Sequence, residues 1–235
     1  MPRKPRKVIP GTPHHVYDRG NNRRRLFSYS TDRMRFLYCL SAGLVASGCT
    51  LHQLTLMSNH IHMIVTPLDL EGLSRLMKRT KQRYAQTRNQ IRDGSGTLFE
   101  ARFKSKPITS MAQLSATTLY NDANARRARL VHSGTAHEWS TGPLHAARPG
   151  SRVPTNMWTP SVWYLSLGGT PRERGDAYEQ LMEDYLRSDP ATPDDWAITP
   201  ALEKRDMQCY ERRVERPSRS SAREPSSSRF GGKLE

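Results

Sequence analysis

Apolar positions recur at helical spacing along some stretches of the chain and alternate with polar ones along others, and this sets out an order of elements. Phe36, Leu37, Leu40, Leu44 and Val45 share one face of a helix that Ser30 or Thr31 can cap and Gly48 can end. Leu73, Leu76, Met77, Thr80 and Tyr84 form the same kind of stripe over residues 70–90. His14 to Asp18 reads as a first strand, closed by the turn residues Arg19-Gly20-Asn21-Asn22. Thr50 to Met57 reads as a second, with His52, Leu54 and Leu56 pointing one way. A tight turn at Ser58-Asn59 joins it to a strand from His60 to Val65 that Pro67 ends, a hairpin. Beyond the Asp93–Gly96 turn, Thr97 to Lys106 reads as a further strand, and Thr109 to about Arg129 as a helix. Residues 132–170 hold His137, Trp139, Trp158 and Trp163 among prolines and glycines and predict irregular, partly packed chain. Arg172 to about Leu186 is a last helix with Tyr178, Leu181, Met182 and Tyr185 as its stripe, and no internal repeat is present.

The hairpin's second strand is where chemistry concentrates. Residues two apart on a strand share a face, so His60 and His62 stand side by side, about 7 Å apart at their Cβ atoms, while Ile61, Met63 and Val65 face a core. Two imidazoles so placed can converge on one metal ion, or can simply be half-exposed surface residues; the triplet alone leaves both open.

Charge narrows the partner. Lys and Arg number 37 against 22 Asp and Glu, a net charge of +15, which points to a polyanion, and nucleic acid before others. Arg23-Arg24-Arg25 follows the first turn directly, and Lys78, Arg79, Lys81 and Arg83 crowd the outer faces of the 70–90 helix. Phe99, Arg102, Phe103 and Lys104 interleave rings with cations, as single-stranded nucleic acid needs for stacking and phosphate contact, or as a short amphipathic strand would show. Cys39, Cys49 and Cys209 have no paired spacing, which argues for a reducing cytoplasm and against a disulfide framework or structural zinc. The basic start is followed by no apolar run, so no signal peptide is expected, and nothing approaches a membrane span. The expected location is the cytoplasm, on the nucleoid when bound to DNA. Ser, Arg, Pro and Gly dominate from about Arg213, predicting disorder there.

Four segments, in order, resemble the IS200-like single-tyrosine (Y1) transposases. They are Gly11-Thr12-Pro13-His14-His15-Val16 with Arg19-Gly20-Asn21, Met57-Ser58-Asn59-His60-Ile61-His62, residues 96–105, and Tyr120-Asn121-Asp122-Ala123-Asn124 followed by Arg127-Ala128-Arg129. The REP-associated branch is the most similar, although Ala125 stands where that branch has proline. The resemblance implies an α+β fold, a ferredoxin-like antiparallel sheet with packed helices, in agreement with the element order above. It divides the chain into a basic arm (1–12), a Y1 nuclease domain (13–131), a partly helical extension (132–190) and a linker with a basic tail (191–235).

It also implies a reaction, cleavage of one DNA strand by transesterification, with Tyr120 as nucleophile and a 5′-phosphotyrosine as product. His60 and His62 would hold a divalent cation, Mg2+ or Mn2+, with the Asn124 amide one turn beyond Tyr120 as third donor. Tyr84 on the basic helix is a rival nucleophile. Single-stranded or hairpin DNA, REP-like in that branch, is the expected partner, contacted by Arg19, Asn21, Arg23, Arg24, Arg25, Lys78, Arg79, Lys81, Arg83, Arg102 and Lys104. Monomer and homodimer both stay open. Two other readings remain, a replication initiator or relaxase with the same paired histidines, and a non-catalytic basic DNA- or RNA-binding protein.

Overall fold

The structure, a computed structural model, describes residues 6–188. Cys209, the tail from Arg213 and the first five residues of the basic arm lie outside the described residues. The chain runs β1 (His14–Arg19), α1 (Ser30–Ser47), β2 (Thr50–Leu56), β3 (His60–Thr66), α2 (Gly72–Ile91), β4 (Lys104–Pro107), α3 (Met111–Arg127), α4 (Gly142–His145), α5 (Val162–Leu165) and α6 (Pro171–Ser188). The strands lie in the order β2-β3-β1-β4, every neighbouring pair antiparallel. This is the ferredoxin-like α+β arrangement that the resemblance implies and with which the element order agrees.

Alternation along the strands gives the sheet two unlike faces. Val16, Leu54, Leu56, Ile61, Met63 and Val65 point to one side and join the stripes of α1 and α2 in the larger core. The helices approach closely because position 43 is glycine; a Cβ there would stand 2.6 Å from the Thr80 hydroxyl. Helix α1 starts at Ser30, and the Asp32 carboxylate accepts the N–H groups of Ser28 and Tyr29 at 2.9 and 3.1 Å. This differs from a Ser30 or Thr31 cap, because a carboxylate in the first turn reaches back to the same unsatisfied donors. Gly48, at φ 64, takes the left-handed conformation that ends α1.

Tyr84 belongs to this core. It is fully buried, its hydroxyl donates to the Leu26 carbonyl at 2.8 Å, and burial, followed by the nearby Asp32, pushes its phenol pKa up. A phenol so held, in the layer away from the paired histidines, is a structural group and no nucleophile. Phe99 and Phe103 are likewise buried here, so the 97–106 segment is amphipathic and turns its rings inward, away from any base.

His52 departs from the expected alternation. The register of β2 on β3 shifts between Leu51 and Gln53, so Leu51 and Leu54 both enter the core. His52 sits at this bulge, donating through Nδ1 to the Thr159 carbonyl at 2.9 Å and pairing through Nε2 with the Thr66 hydroxyl at 2.9 Å. The outer edge of β2 is covered by the irregular 137–159 segment. The Leu56 N–H donates to Trp139, Thr141 donates to Leu54 and Thr159 to Leu51, at 2.8–2.9 Å, so the edge presents no open ladder there.

Helix α3 packs on the other face of the sheet, over β2 and β3, and α5 and α6 cover its back. Every residue from Leu114 to Ala125 is buried, although many are polar. Burial of such a helix requires partners for its polar groups. Thr117 and Thr118 donate to the carbonyls four residues back at 2.7 Å, and Asn121 donates to the Gln53 side chain at 2.9 Å. The Asp122 carboxylate accepts four more hydrogen bonds. Its Oδ1 accepts from Gln53 at 2.9 Å and Thr55 at 3.3 Å, and its Oδ2 accepts from the Tyr178 hydroxyl at 2.8 Å and His145 Nδ1 at 2.7 Å. One side chain thus ties α3 to β2, α4 and α6. Asp122→Ala strands four buried donors and is expected to cost roughly 3–5 kcal/mol in urea unfolding; a loss under about 1 kcal/mol would show that the network does not hold α3.

Candidate active site

The face of the sheet beneath α3 carries Gln53, Thr55, His60, His62, Ile64, His15, Tyr17 and Arg19, because Tyr17 stands opposite His62, Arg19 opposite His60 and Thr55 opposite His62 in register. Helix α3 covers the β2 and β3 half of this face. Lys104 and Lys106 of the edge strand, opposite Tyr17 and His15, continue the same face and are exposed. Apolar and chemical groups therefore separate onto opposite sides of one sheet by strand period alone.

The predicted histidine pair is brought together. The ring centroids of His60 and His62 are 5.1 Å apart at 90°. Asn59 donates through Nδ2 to the Arg23 carbonyl at 3.2 Å, which fixes its amide orientation, so its Oδ1 accepts from His60 Nδ1 at 2.7 Å. Nε2 is then the lone-pair nitrogen of His60. Burial, and secondarily Arg19, pushes the His60 pKa down to about 3. His62 is pushed well below its ordinary value by burial first, then by His60, His15 and Arg127. Both imidazoles are neutral at pH 7, the form a metal ion takes.

Tyr120 and Asn124 arrive from above, one turn apart on α3. The Tyr120 ring meets His62 edge-on at 6.0 Å and His15 at 6.5 Å, and the residue is 5% exposed. Asn124 donates through Nδ2 to the carbonyls of Tyr120 and Asn121 at 3.0 and 3.3 Å, which leaves its Oδ1 as the end of the amide unused by the helix. Among the described residues no three His, Cys, Asp or Glu side chains are grouped to hold a metal. A third protein donor beside the histidines would be of another kind, and the Asn124 amide oxygen is one. Two neutral imidazoles, that of His60 with its tautomer fixed by Asn59, and this hard oxygen are donors of the kind a divalent cation takes.

Two neighbours escaped the sequence reading. His15 Nε2 lies 3.1 Å from His62 Nδ1, and their rings stack at 5.3 Å with Tyr17 beside both. Arg127 places its guanidinium 4.8 Å from the Tyr120 ring centroid and 5.0 Å from that of Tyr185, to whose hydroxyl it donates. His15 meets His62 only through the long-range pairing of β1 with β3, which local spacing does not carry; Arg127, two turns from Tyr120 on α3, is a signal that spacing carries.

The predicted basic residues divide between layers. Arg19 lies beside His60 and makes a two-pronged pair with Glu100 at 2.5 and 2.9 Å. Arg23, Arg24 and Arg25 are exposed on the loop after β1, which Gly20 makes possible, since a Cβ there would stand 2.1 Å from the Arg24 carbonyl oxygen. Asn21 joins this loop to the 97–98 segment through Thr97 and Leu98. Arg102 is exposed, and Lys104 lies 5.5 Å from the Tyr17 ring. Lys78, Arg79 and Arg83 lie on the outer side of α2, across the sheet from Tyr120. Lys81 turns inward, pairing with the buried Asp18 and donating to the Ala101 carbonyl at 2.9 Å.

Residues 12–122 match the family described as transposase, IS200 like. A solved REP-associated tyrosine transposase, bound to a REP hairpin, superposes with a TM-score of 0.54 at 17% identity, covering 69% of this chain and 93% of its own. A candidate transposase from Deinococcus radiodurans reaches a TM-score of 0.36 at 15% identity, over 48% of this chain and 90% of its own. No curated protein matches the sequence. Among the described residues no helix is long and apolar enough to cross a membrane.

The buried histidines set a pH dependence. The unfolded chain binds a proton at His60 near pH 6.5, whereas the folded one does so only near pH 3, so stability is lost as pH falls below about 6.5. Without metal, urea unfolding at pH 5 is expected to show roughly 1–2 kcal/mol less stability from this residue than at pH 7, and His60→Gln to flatten that slope. An unchanged slope, or a His60 ring that titrates near 6.5 by NMR, would contradict the assignment.

Proposed function

We propose that this protein is a metal-dependent single-strand DNA endonuclease and strand transferase that forms a 5′-phosphotyrosine through Tyr120. The observation that carries the reading is the placement of the Tyr120 ring edge-on to His62, over a pair of neutral histidines, on a face that continues into exposed lysines. The match of residues 12–122 to the IS200-like transposase family supports it.

The Tyr120 hydroxyl attacks a backbone phosphorus, the P–O3′ bond breaks, the phenolic proton passes to solvent and the leaving 3′-oxygen takes one up. A phenol with an ordinary pKa near 10 is a weak nucleophile at neutral pH. Arg127 sets positive charge beside the ring on which negative charge develops. His60, His62 and the Asn124 oxygen would hold Mg2+ or Mn2+, which supplies Lewis-acid polarisation of a non-bridging phosphate oxygen when bound. Asn59 keeps the His60 lone pair on Nε2 for that purpose. The covalent bond conserves the phosphodiester's free energy, so attack by a 3′-hydroxyl on the phosphotyrosine reseals a strand without ATP.

Arg19, the Arg23–Arg25 loop, Arg102 and Lys104 are the phosphate contacts of this reading, with Asn21 at their centre. Lys78, Arg79 and Arg83 would add a second, sequence-independent contact from the outer layer, and Lys81 acts through Asp18 rather than on DNA. A hairpin with a single-stranded flank is the substrate class, supported by the hairpin in the solved REP-associated relative of the same fold.

Incubation of labelled hairpin oligonucleotides with Mg2+ or Mn2+ is expected to give a covalent band on denaturing gels that is lost in Tyr120→Phe, His60→Ala and EDTA. Tyr84→Phe is expected to retain the band while losing about 1 kcal/mol of stability. Tight binding with no band on any substrate would transfer the protein to the non-catalytic DNA-binding class.

A further inference from the structure

Beyond Tyr120, a cavity of about 340 Å³ opens between the C-terminal end of α3 and the last turns of α6. Arg126, Arg127, Arg129, Arg187, His132 and Glu183 line it. Its one carboxylate is already taken, since Glu183 accepts from Arg187 at 3.0 Å. Arg126 and Arg129 are exposed, and the chain turns back at Arg129 with φ 54, which closes the end of α3 and carries His132 to the rim. The wall nearest the site is Arg127, whose guanidinium lies between the rings of Tyr120 and Tyr185. Arg127 follows Tyr120 by two helical turns, about 10 Å along the axis.

A concave site lined by guanidinium groups in excess selects phosphate, because the planar fork offers paired donors to its oxygens. The cavity is larger than a bare phosphate needs and within the range of small-ligand sites. A duplex, about 20 Å across, has no room to enter it, whereas one strand can lay a phosphate and its sugar there.

We propose that this cavity is a single-strand subsite, taking the backbone phosphate and sugar of a nucleotide one or two steps from the bond that Tyr120 cleaves. Its position relative to the cleaved bond rests on the proposed function; its preference for single strands does not. The subsite assigns a role in DNA binding to the α6 segment, which lies outside the stretch that matches the transposase family.

The test is equilibrium binding of the full chain in EDTA, by fluorescence anisotropy, to labelled oligo(dT) of about 20 nucleotides and to a blunt mixed-sequence duplex of similar length. The double variant Arg126→Glu/Arg129→Glu is expected to bind oligo(dT) at least about tenfold more weakly, with a salt dependence shallower by about two, while its duplex affinity falls less than about threefold. Arg126→Lys/Arg129→Lys is expected to recover most of the oligo(dT) affinity, and an unchanged thermal midpoint checks folding. Equal losses on both probes, or no loss on oligo(dT), would overturn the subsite. Because no bond is cleaved in this assay, arginine-dependent strand binding in a chain that makes no covalent adduct would defeat the nuclease reading and leave the subsite standing.

Discussion

The buried carboxylate of Asp122 holds the candidate site together. It sits two residues from Tyr120 and accepts hydrogen bonds from β2, α4 and α6 at once. A helix buried on all sides normally presents apolar groups all round, but α3 buries one serine, two threonines, two asparagines and an aspartate. Such a helix is stable only in the orientation that pairs its polar groups, so the pairing fixes rotation as well as contact. Rotation is what aims Tyr120 at His62.

The sheet makes a second division. One face, packed by α1 and α2, supplies the larger apolar core, and the other holds histidines in a buried, positively charged setting. Desolvation and the neighbouring guanidinium groups both disfavour imidazolium, so the histidines are held neutral. Asn59 links this electrostatic condition to geometry, since the same amide that orients His60 also pins the Arg23 carbonyl of the basic loop. The histidine pair and the basic loop therefore share one orienting residue, Asn59, at the hairpin turn.

Much of this was legible in the sequence where local periodicity decides the outcome. The stripes of α1 and α2, the β2–β3 hairpin and the shared face of His60 and His62 follow from spacing and turn residues, and the structure has them. What was not legible depended on long-range pairing. His15 joins His62 only through strand register across 47 residues, and His145 reaches Asp122 only because α4 folds back onto α3. The bulge at His52 breaks an alternation that the residues themselves suggest. Phe99 and Phe103 allow either a stacking platform or an amphipathic strand in sequence, and the core beneath α2 claims both. Lys81 looks like its basic neighbours, and only the fold reveals Asp18 beneath it.

The central claim, that Tyr120 is the residue that becomes joined to DNA, is tested most directly by mass spectrometry of the trapped adduct. The protein is incubated with a hairpin oligonucleotide and Mn2+, digested with nuclease and protease, and searched for nucleotide-bearing peptides. The expected result is a single 5′-phosphate linkage on the peptide containing Tyr120, at the tyrosine itself. A linkage on any other tyrosine, or on none while strands are cut, would contradict the assignment.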